Sequence, residues 1–239
     1  SATDGSLSQD GRLLLFTDYA NGGLDYDLYL RNTDGSPPVR LGDGFGYGLS
    51  PDGQWALALI SSKSQLVRYP TGAGEPVQVD RGPMEHYGSS ARWFPDGQRI
   101  LSCGNEASRP LRCYVQPLGA GPPSAVTSDD VVDAVIAPDG KRLLVTTTSG
   151  AKEIVELGST AGRPVPSIRP SDVPIAWSND GRSIFVQSDF SARARIERVD
   201  LGTGARTLVR DLAPPDVSGV ITVTVSQWSD DGRGYAYYY

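Results

Sequence analysis

The chain has 239 residues, 28 acidic and 22 basic side chains, one histidine, two cysteines and a net charge of −6 at neutral pH. That balance excludes the clustered basic surface that phosphate backbones require, so nucleic acid is not an expected partner. No apolar run is long enough to span a bilayer and no charged n-region followed by an apolar h-region opens the chain, so no membrane contact is expected of this segment.

Glycine (28) and proline (18) are abundant against a single methionine, and no window carries a capped helical periodicity, which predicts an all-β protein. The organising phrase is Ser8-Gln9-Asp10-Gly11. It returns as Ser50-Pro51-Asp52-Gly53, Phe94-Pro95-Asp96-Gly97, Ala137-Pro138-Asp139-Gly140, Ser178-Asn179-Asp180-Gly181 and Ser229-Asp230-Asp231-Gly232, with Asp-to-Asp spacings of 42, 44, 43, 41 and 51 residues. A period of that length marks stacked or radial modules. Asp-Gly between two apolar runs is a hairpin turn, because Gly accepts positive φ and the Asp carboxylate caps the turn.

In chain order, module one has a strand ending at Leu7, then Leu13 to Thr17, a Gly22-Gly23 loop, Tyr26 to Leu30, and Val39 to Leu41. Module two repeats the plan with Tyr47 to Leu49, Trp55 to Ile60, Gln65 to Tyr69 and Val77 to Val79. Module three runs Ala91 to Phe94, Arg99 to Cys103, Arg112 to Gln116 and Ala125 to Thr127, and module four Val131 to Ala137, Arg142 to Thr147, Glu153 to Leu157 and Val165 to Ile168. Module five runs Val173 to Trp177, Ser183 to Gln187, Arg195 to Asp200 and Thr207 to Arg210; module six offers only Ile221 to Trp228 and Gly234 to Tyr239.

Four short strands per module predict a six-bladed β-propeller of four-stranded antiparallel blades with the last blade incomplete. No module can bury a core alone, so the chain is read as one domain, with blades at about 1–43, 44–82, 83–128, 129–170, 171–213 and a partial 214–239.

The phrase Trp177-Ser178-Asn179-Asp180-Gly181, the strand Ser183-Ile184-Phe185-Val186 and the later Ile196-Glu197-Arg198-Val199-Asp200 resemble the WD-repeat-like blades of TolB-type propellers. Leu28-Tyr29-Leu30 and Cys113-Tyr114-Val115 match the third strand of that pattern. The resemblance covers all six modules and implies the fold more than a function. Leu41-Gly42 through Asp52-Gly53, with Gly234-Tyr235-Ala236-Tyr237, is similar to the C-terminal propeller of bacterial eukaryotic-like serine/threonine protein kinases. That likeness implies a sensing or docking module; the Val-Ala-Ile-Lys, His-Arg-Asp and Asp-Phe-Gly signatures of the kinase domain itself do not occur.

Tyr47, His86, Tyr87, Arg92, Asp172 and Gln227 lie on or beside first strands and are expected at a channel mouth, where inter-blade loops carry recognition. His86 as a general base would need a nucleophile and an orienting carboxylate; Ser89, Ser90 and Glu85 are near it only in sequence, and there is no Gly-x-Ser-x-Gly elbow. No catalytic residue is assigned. Asp129, Asp130 and Asp133 lack EF-hand spacing, and the alternate glycines of Gly42 to Gly48 precede no helix, so neither a metal nor a cofactor is expected. Cys103 and Cys113 either face each other across a hairpin as a disulfide or remain two buried thiols.

These features predict a non-catalytic propeller binding a protein or small ligand, as the sensory or docking module of a larger bacterial signalling protein. The alternatives are a periplasmic TolB-like envelope scaffold, and a hydrolase or lyase using the channel. A disulfide would favour an extracytoplasmic compartment over the cytoplasm.

Overall fold

In a computed structural model, residues 2–18, 26–119, 121–159, 161–228 and 235–238 are described, the side chains at 2–4, 89, 226, 227, 236 and 238 excepted. The Gly22-Gly23 loop, the sixth turn Asp231-Gly232 and the side chain of Gln227 lie outside the described residues. The chain is an all-β propeller protein that divides into two compact units, Ser1–Val132 and Asp133–Tyr239.

The first unit holds three four-stranded antiparallel sheets. Sheet one is β1 (Ala2–Leu7), β2 (Leu13–Asp18), β3 (Asp27–Asn32) and β4 (Val39–Asp43); sheet two is β5 (Phe45–Leu49), β6 (Trp55–Ile60), β7 (Gln65–Pro70) and β8 (Val77–Gln78). Sheet three is β9 (Met84–Trp93), β10 (Arg99–Glu106), β11 (Arg112–Pro117) and β12 (Ser124–Ala125). The division between units falls within β13 (Val131–Ile136), which opens sheet four with β14 (Arg142–Thr147), β15 (Lys152–Glu156) and β16 (Gly162–Pro164). Sheet five is β17 (Val173–Trp177), β18 (Ser183–Phe190), β19 (Ala194–Asp200) and β20 (Arg206–Leu212), and a two-stranded sheet pairs β21 (Thr224–Trp228) with β22 (Tyr235–Tyr238).

The blade count therefore corrects the expectation of six: the described residues form five four-stranded blades. The sixth module supplies one hairpin, because the stretch between β20 and β21 forms no strand and β21 and β22 have no further partner among the described residues. In blade four the expected strand Val165 to Ile168 is displaced to β16. Val165 still donates its N–H to Lys152 O at 2.8 Å, but the chain then turns, with Ile168 N–H bonded to Val165 O at 3.1 Å. Pro164 precedes that turn and Pro166 lies within it, and neither can donate to a ladder.

The repeated phrase makes the same turn in each of its five described copies. The glycine N–H donates three residues back, to Ser8, Ser50, Phe94, Ala137 and Ser178 carbonyls at 2.8–2.9 Å, and the five glycines adopt φ of 63–70°. Asp Oδ1 accepts the N–H two residues on, from Arg12, Gln54, Gln98, Lys141 and Arg182. This is the Asx turn that makes Asp-Gly a chain-reversal signal.

In sheets two to five the strand after the turn carries a run buried on both faces, such as Ala56-Leu57-Ala58, Leu143-Leu144-Val145 and Ile184-Phe185-Val186. Such strands read as continuous apolar runs rather than alternations. In the first unit, Leu15, Leu28, Ala56, Ala58 and Val67 pack sheets one and two together, and Leu57, Leu66, Val79, Ala91 and Ile100 pack two against three. In the second, Val135, Leu144, Ile154, Trp177 and Ile184 join sheets four and five. Phe185, Ile196, Leu212, Val225 and Trp228 join sheet five to the β21–β22 hairpin.

Cys103 and Cys113 face each other on β10 and β11 and are joined as a disulfide. Cys113 turns its N–H to Thr127 Oγ1 at 2.9 Å and its carbonyl to Val126 N–H at 2.9 Å, away from β10. The pair is thus a non-hydrogen-bonded one, the closer of the two antiparallel pairings.

Candidate functional site

The first unit brings four of the residues singled out in the sequence to one seam, where the first strands of sheets two and three, β5 and β9, run beside each other. Tyr47 on β5 donates its hydroxyl to Gly88 O at 3.0 Å, and Trp93 Nε1–H on β9 returns a bond to Gly48 O at 3.3 Å. Gly44 and Gly46 make the approach to β5 tight: a Cβ on Gly46 would lie 2.7 Å from Leu28 Cδ1, and one on Gly44 2.9 Å from Leu59 O. The glycines at 44 and 46 thus serve the tight connection between blades one and two.

Burial pushes the Tyr47 phenol up to about 12, although the nearby Arg92 charge works in the opposite direction. Tyr87 on β9 packs in the same apolar cluster, and its pKa is also raised by burial. Its hydroxyl is buried without a hydrogen-bond partner, while its backbone N–H donates to Ser64 Oγ at 3.2 Å. Arg92 donates from Nη1 to Ser90 Oγ at 2.5 Å. His86 is exposed on β9, opposite Asn105 of β10. At neutral pH the seam offers two protonated phenols and a guanidinium, groups that donate hydrogen bonds and hold anions rather than abstract protons.

Asp172 belongs to the second unit and is buried. It accepts Arg206 Nη1 at 2.7 Å and the Arg169 backbone N–H at 2.7 Å, and Arg206 Nη2 also reaches Glu197 Oε2 at 2.6 Å. Removing the buried Asp172 would leave Arg206 with one carboxylate instead of two. Lys152, buried nearby, donates to Gly150 O at 2.7 Å and Pro170 O at 3.3 Å; burial lowers its pKa, opposed by Asp172 and Asp133. Among the described residues no three His, Cys, Asp or Glu side chains group to hold a metal, Asp129, Asp130 and Asp133 included.

One cavity was not anticipated. Between the outer strands of sheets two and three lies a space of about 350 Å³ lined by Arg68, Val79, Asp80, Gln116 and Leu118 among others. Arg68, on β7, stacks over Trp55 at 5.0 Å, and burial lowers its pKa. The sequence signal was faint: a single arginine between buried Val67 and Tyr69, on a strand whose counterparts elsewhere carry Leu28-Tyr29-Leu30 or Cys113-Tyr114-Val115.

Comparison with solved structures then gives the fold its relatives. The chain matches TolB from Acinetobacter baumannii with a TM-score of 0.68 at 14% identity, covering 86% of this chain and 53% of that one. It matches a putative TolB from Agrobacterium tumefaciens with a TM-score of 0.69 at 20% identity, covering 100% and 91%. The chain shares the fold of TolB-type β-propellers. Hydrazine synthase of Kuenenia stuttgartiensis is also similar, with a TM-score of 0.63 at 15% identity over 98% of this chain and 82% of that one. The chain thus spans about half of the Acinetobacter protein. No protein-family model matches it, and no curated protein does.

Proposed function

We propose that this chain is a non-catalytic, TolB-like propeller that serves as a scaffold in the cell envelope, docking a protein or small ligand over the β5–β9 seam. The observation that carries the reading is the match to the putative Agrobacterium TolB, which runs over the whole of this chain and nearly the whole of that one. The Cys103–Cys113 disulfide supports an oxidising compartment such as the periplasm. The chemistry of the seam supports docking over catalysis. Tyr47 and Tyr87 are held protonated by burial, and His86 is exposed.

The test is fractionation of the native host combined with in-cell photocrosslinking from position 86, which is exposed. The scaffold reading expects the protein in the periplasmic fraction, its cysteines unreactive until reduced, and crosslinks to envelope components that weaken when Arg92 is replaced by alanine. Recovery in the cytosol with two titratable thiols would overturn it. A kinase domain encoded upstream on the same polypeptide would favour the sensory module over the scaffold.

A further inference from the structure

We infer that the cavity between the outer strands of sheets two and three is a binding site for a small zwitterion of the amino-acid class, with Arg68 taking the carboxylate and Gln116 and Asp80 the ammonium. The first observation is an unbalanced cation. The Arg68 Nε is buried without a hydrogen-bond partner, and no carboxylate among the described residues pairs with this guanidinium, whose one recorded contact is the Trp55 face. Burying polar and charged groups without partners is unfavourable, so natural chains rarely leave them so. A guanidinium is also the group whose planar fork fits a carboxylate with two parallel bonds.

The second observation is independent of the first and comes from the neighbouring sheet. Gln116 on β11 is 2% exposed, lines the same cavity, and its Oε1 accepts no hydrogen bond. A buried amide oxygen without a donor is completed by a ligand N–H. Asp80 adds a carboxylate to the same wall; its Oδ1 accepts Gly82 N–H at 2.9 Å, which leaves its other oxygen for a cation. One cation and two acceptors in one cavity are the complement of a molecule carrying one anion and one cationic donor.

Size and lining narrow the class. The volume of about 350 Å³ is at the small end of ligand cavities, too small for a folded partner and suited to a single small molecule. Val79, Pro117 and Leu118 give the remaining wall an apolar character that would receive an aliphatic side chain. The site lies within the first unit, between the outer strands rather than the first strands of its sheets, and does not depend on the envelope reading.

Isothermal titration of the full chain with L-leucine, L-valine, L-proline and L-glutamine tests this, with N-acetyl-L-leucine and L-leucinamide as controls that each lack one charge. At least one free amino acid should bind, and for leucine each control should bind about tenfold or more weakly, since a charge-assisted bond is involved at either end. Arg68→Met and Gln116→Leu should each weaken binding by about tenfold or more. The unliganded Arg68→Met protein should melt close to the parent, because the lost Trp55 stacking is offset by removing a half-buried guanidinium whose Nε has no hydrogen-bond partner. Arg68→Lys, which keeps the charge and loses the fork, should also bind more weakly. No binding by any of the four amino acids, equal binding of N-acetyl-L-leucine and leucine, or undiminished binding in both Arg68 variants would overturn the assignment.

Discussion

Ser178 Oγ donates to Asp180 Oδ1 at 2.6 Å while accepting the Ser183 backbone N–H at 2.9 Å, so one hydroxyl ties the turn carboxylate to the start of the following strand. Ser8 does the same for Asp10 and Leu13, and Ser50 for Asp52 and Trp55. Where the phrase begins with Phe94 or Ala137 that hydroxyl is missing, and an arginine takes its place. Arg99 Nε meets Asp96 Oδ2 and Arg142 Nε meets Asp139 Oδ2, both at 2.7 Å, with each guanidinium lying over an aromatic ring, Phe94 or Trp177. The repeat thus holds its aspartate in two chemically distinct ways.

Alanine at Asp96 or Asp139 should lower stability by about 0.5–2 kcal/mol, the range for a lost backbone cap. Asparagine at either position keeps an acceptor for the Gln98 or Lys141 N–H but loses the arginine pair, which is partly exposed and contributes little. It should therefore fall between parent and alanine in urea denaturation. Alanine variants that unfold at the parental midpoint would remove the turn from the list of stabilising features.

The serine bridge should leave its mark on stability in acid. The Ser50 hydroxyl, followed by the Gln54 N–H, holds Asp52 below its ordinary value of 3.8. A depressed carboxylate contributes stability above its unfolded pKa and loses it as pH falls through the folded one. Ser50→Ala takes away the larger cause, so the variant's stability, lower at neutral pH, should fall less steeply below about pH 4 than the parent's. Parallel curves of melting temperature against pH would show that the hydroxyl does not set the titration of Asp52.

The turns were legible because their chemistry is local: Asp, Gly and the apolar run that follows sit within a few residues of each other. The blade count was less so, since a sixth Asp-Gly phrase marks a hairpin and does not itself supply the outer strands of a blade. Asp172 was expected at a channel mouth, and the group that pairs with it, Arg206, lies 34 residues away in sequence. Arg68 and Gln116 were missed for a related reason: each is ordinary within its own strand, and only once sheets two and three pack do the Arg68 Nε and Gln116 Oε1 lie enclosed without a hydrogen-bond partner. Local pattern finds turns, whereas buried polar groups become apparent only after modules pack.

Two glycines should respond to alanine through different physics. Gly97 sits in the turn at φ 65°, with its nearest neighbour, Pro51 Cδ, at 3.7 Å from a built Cβ. Gly97→Ala therefore suffers only the left-handed backbone penalty of about 1–2 kcal/mol. A Cβ on Gly104 would lie 2.3 Å from His86 O and 3.2 Å from Tyr87 Cα, both backbone atoms of β9. Since β9 cannot yield without opening its pairing with β10, Gly104→Ala should cost more than Gly97→Ala in denaturant titrations and should change the fluorescence of Trp93 on the same strand. Equal losses would mean that β9 moves freely.

Reduction of the Cys103–Cys113 bridge, or replacement of both cysteines by serine, should lower stability by about 2–4 kcal/mol, since the bridge closes a short loop in the unfolded chain. Unreduced, denatured protein should show no titratable thiol. The effect should appear mainly in β10 and β11, so hydrogen exchange there should accelerate more than in β14 and β15 of the second unit. Uniform acceleration would show that the bridge stabilises the chain as a whole.

Tyr47 links the candidate seam to stability at high pH. Its phenol, ordinarily near 10, is pushed up to about 12 because burial disfavours the phenolate. The fold therefore favours the protonated form. That contribution is complete below pH 10 and is lost as pH rises through about 12, where the folded phenol itself ionises. Tyr47→Phe loses the bond to Gly88 O, at about 0.5–1.5 kcal/mol, and with it this alkaline dependence. The difference between parent and variant in phenolate absorbance should show one group ionising well above the exposed tyrosines, at or near the pH where the parent unfolds. A tyrosine ionising near 10 in the folded parent and absent from Tyr47→Phe would place Tyr47 in contact with water, and the seam would then present a wet hydroxyl to its partner rather than a buried one.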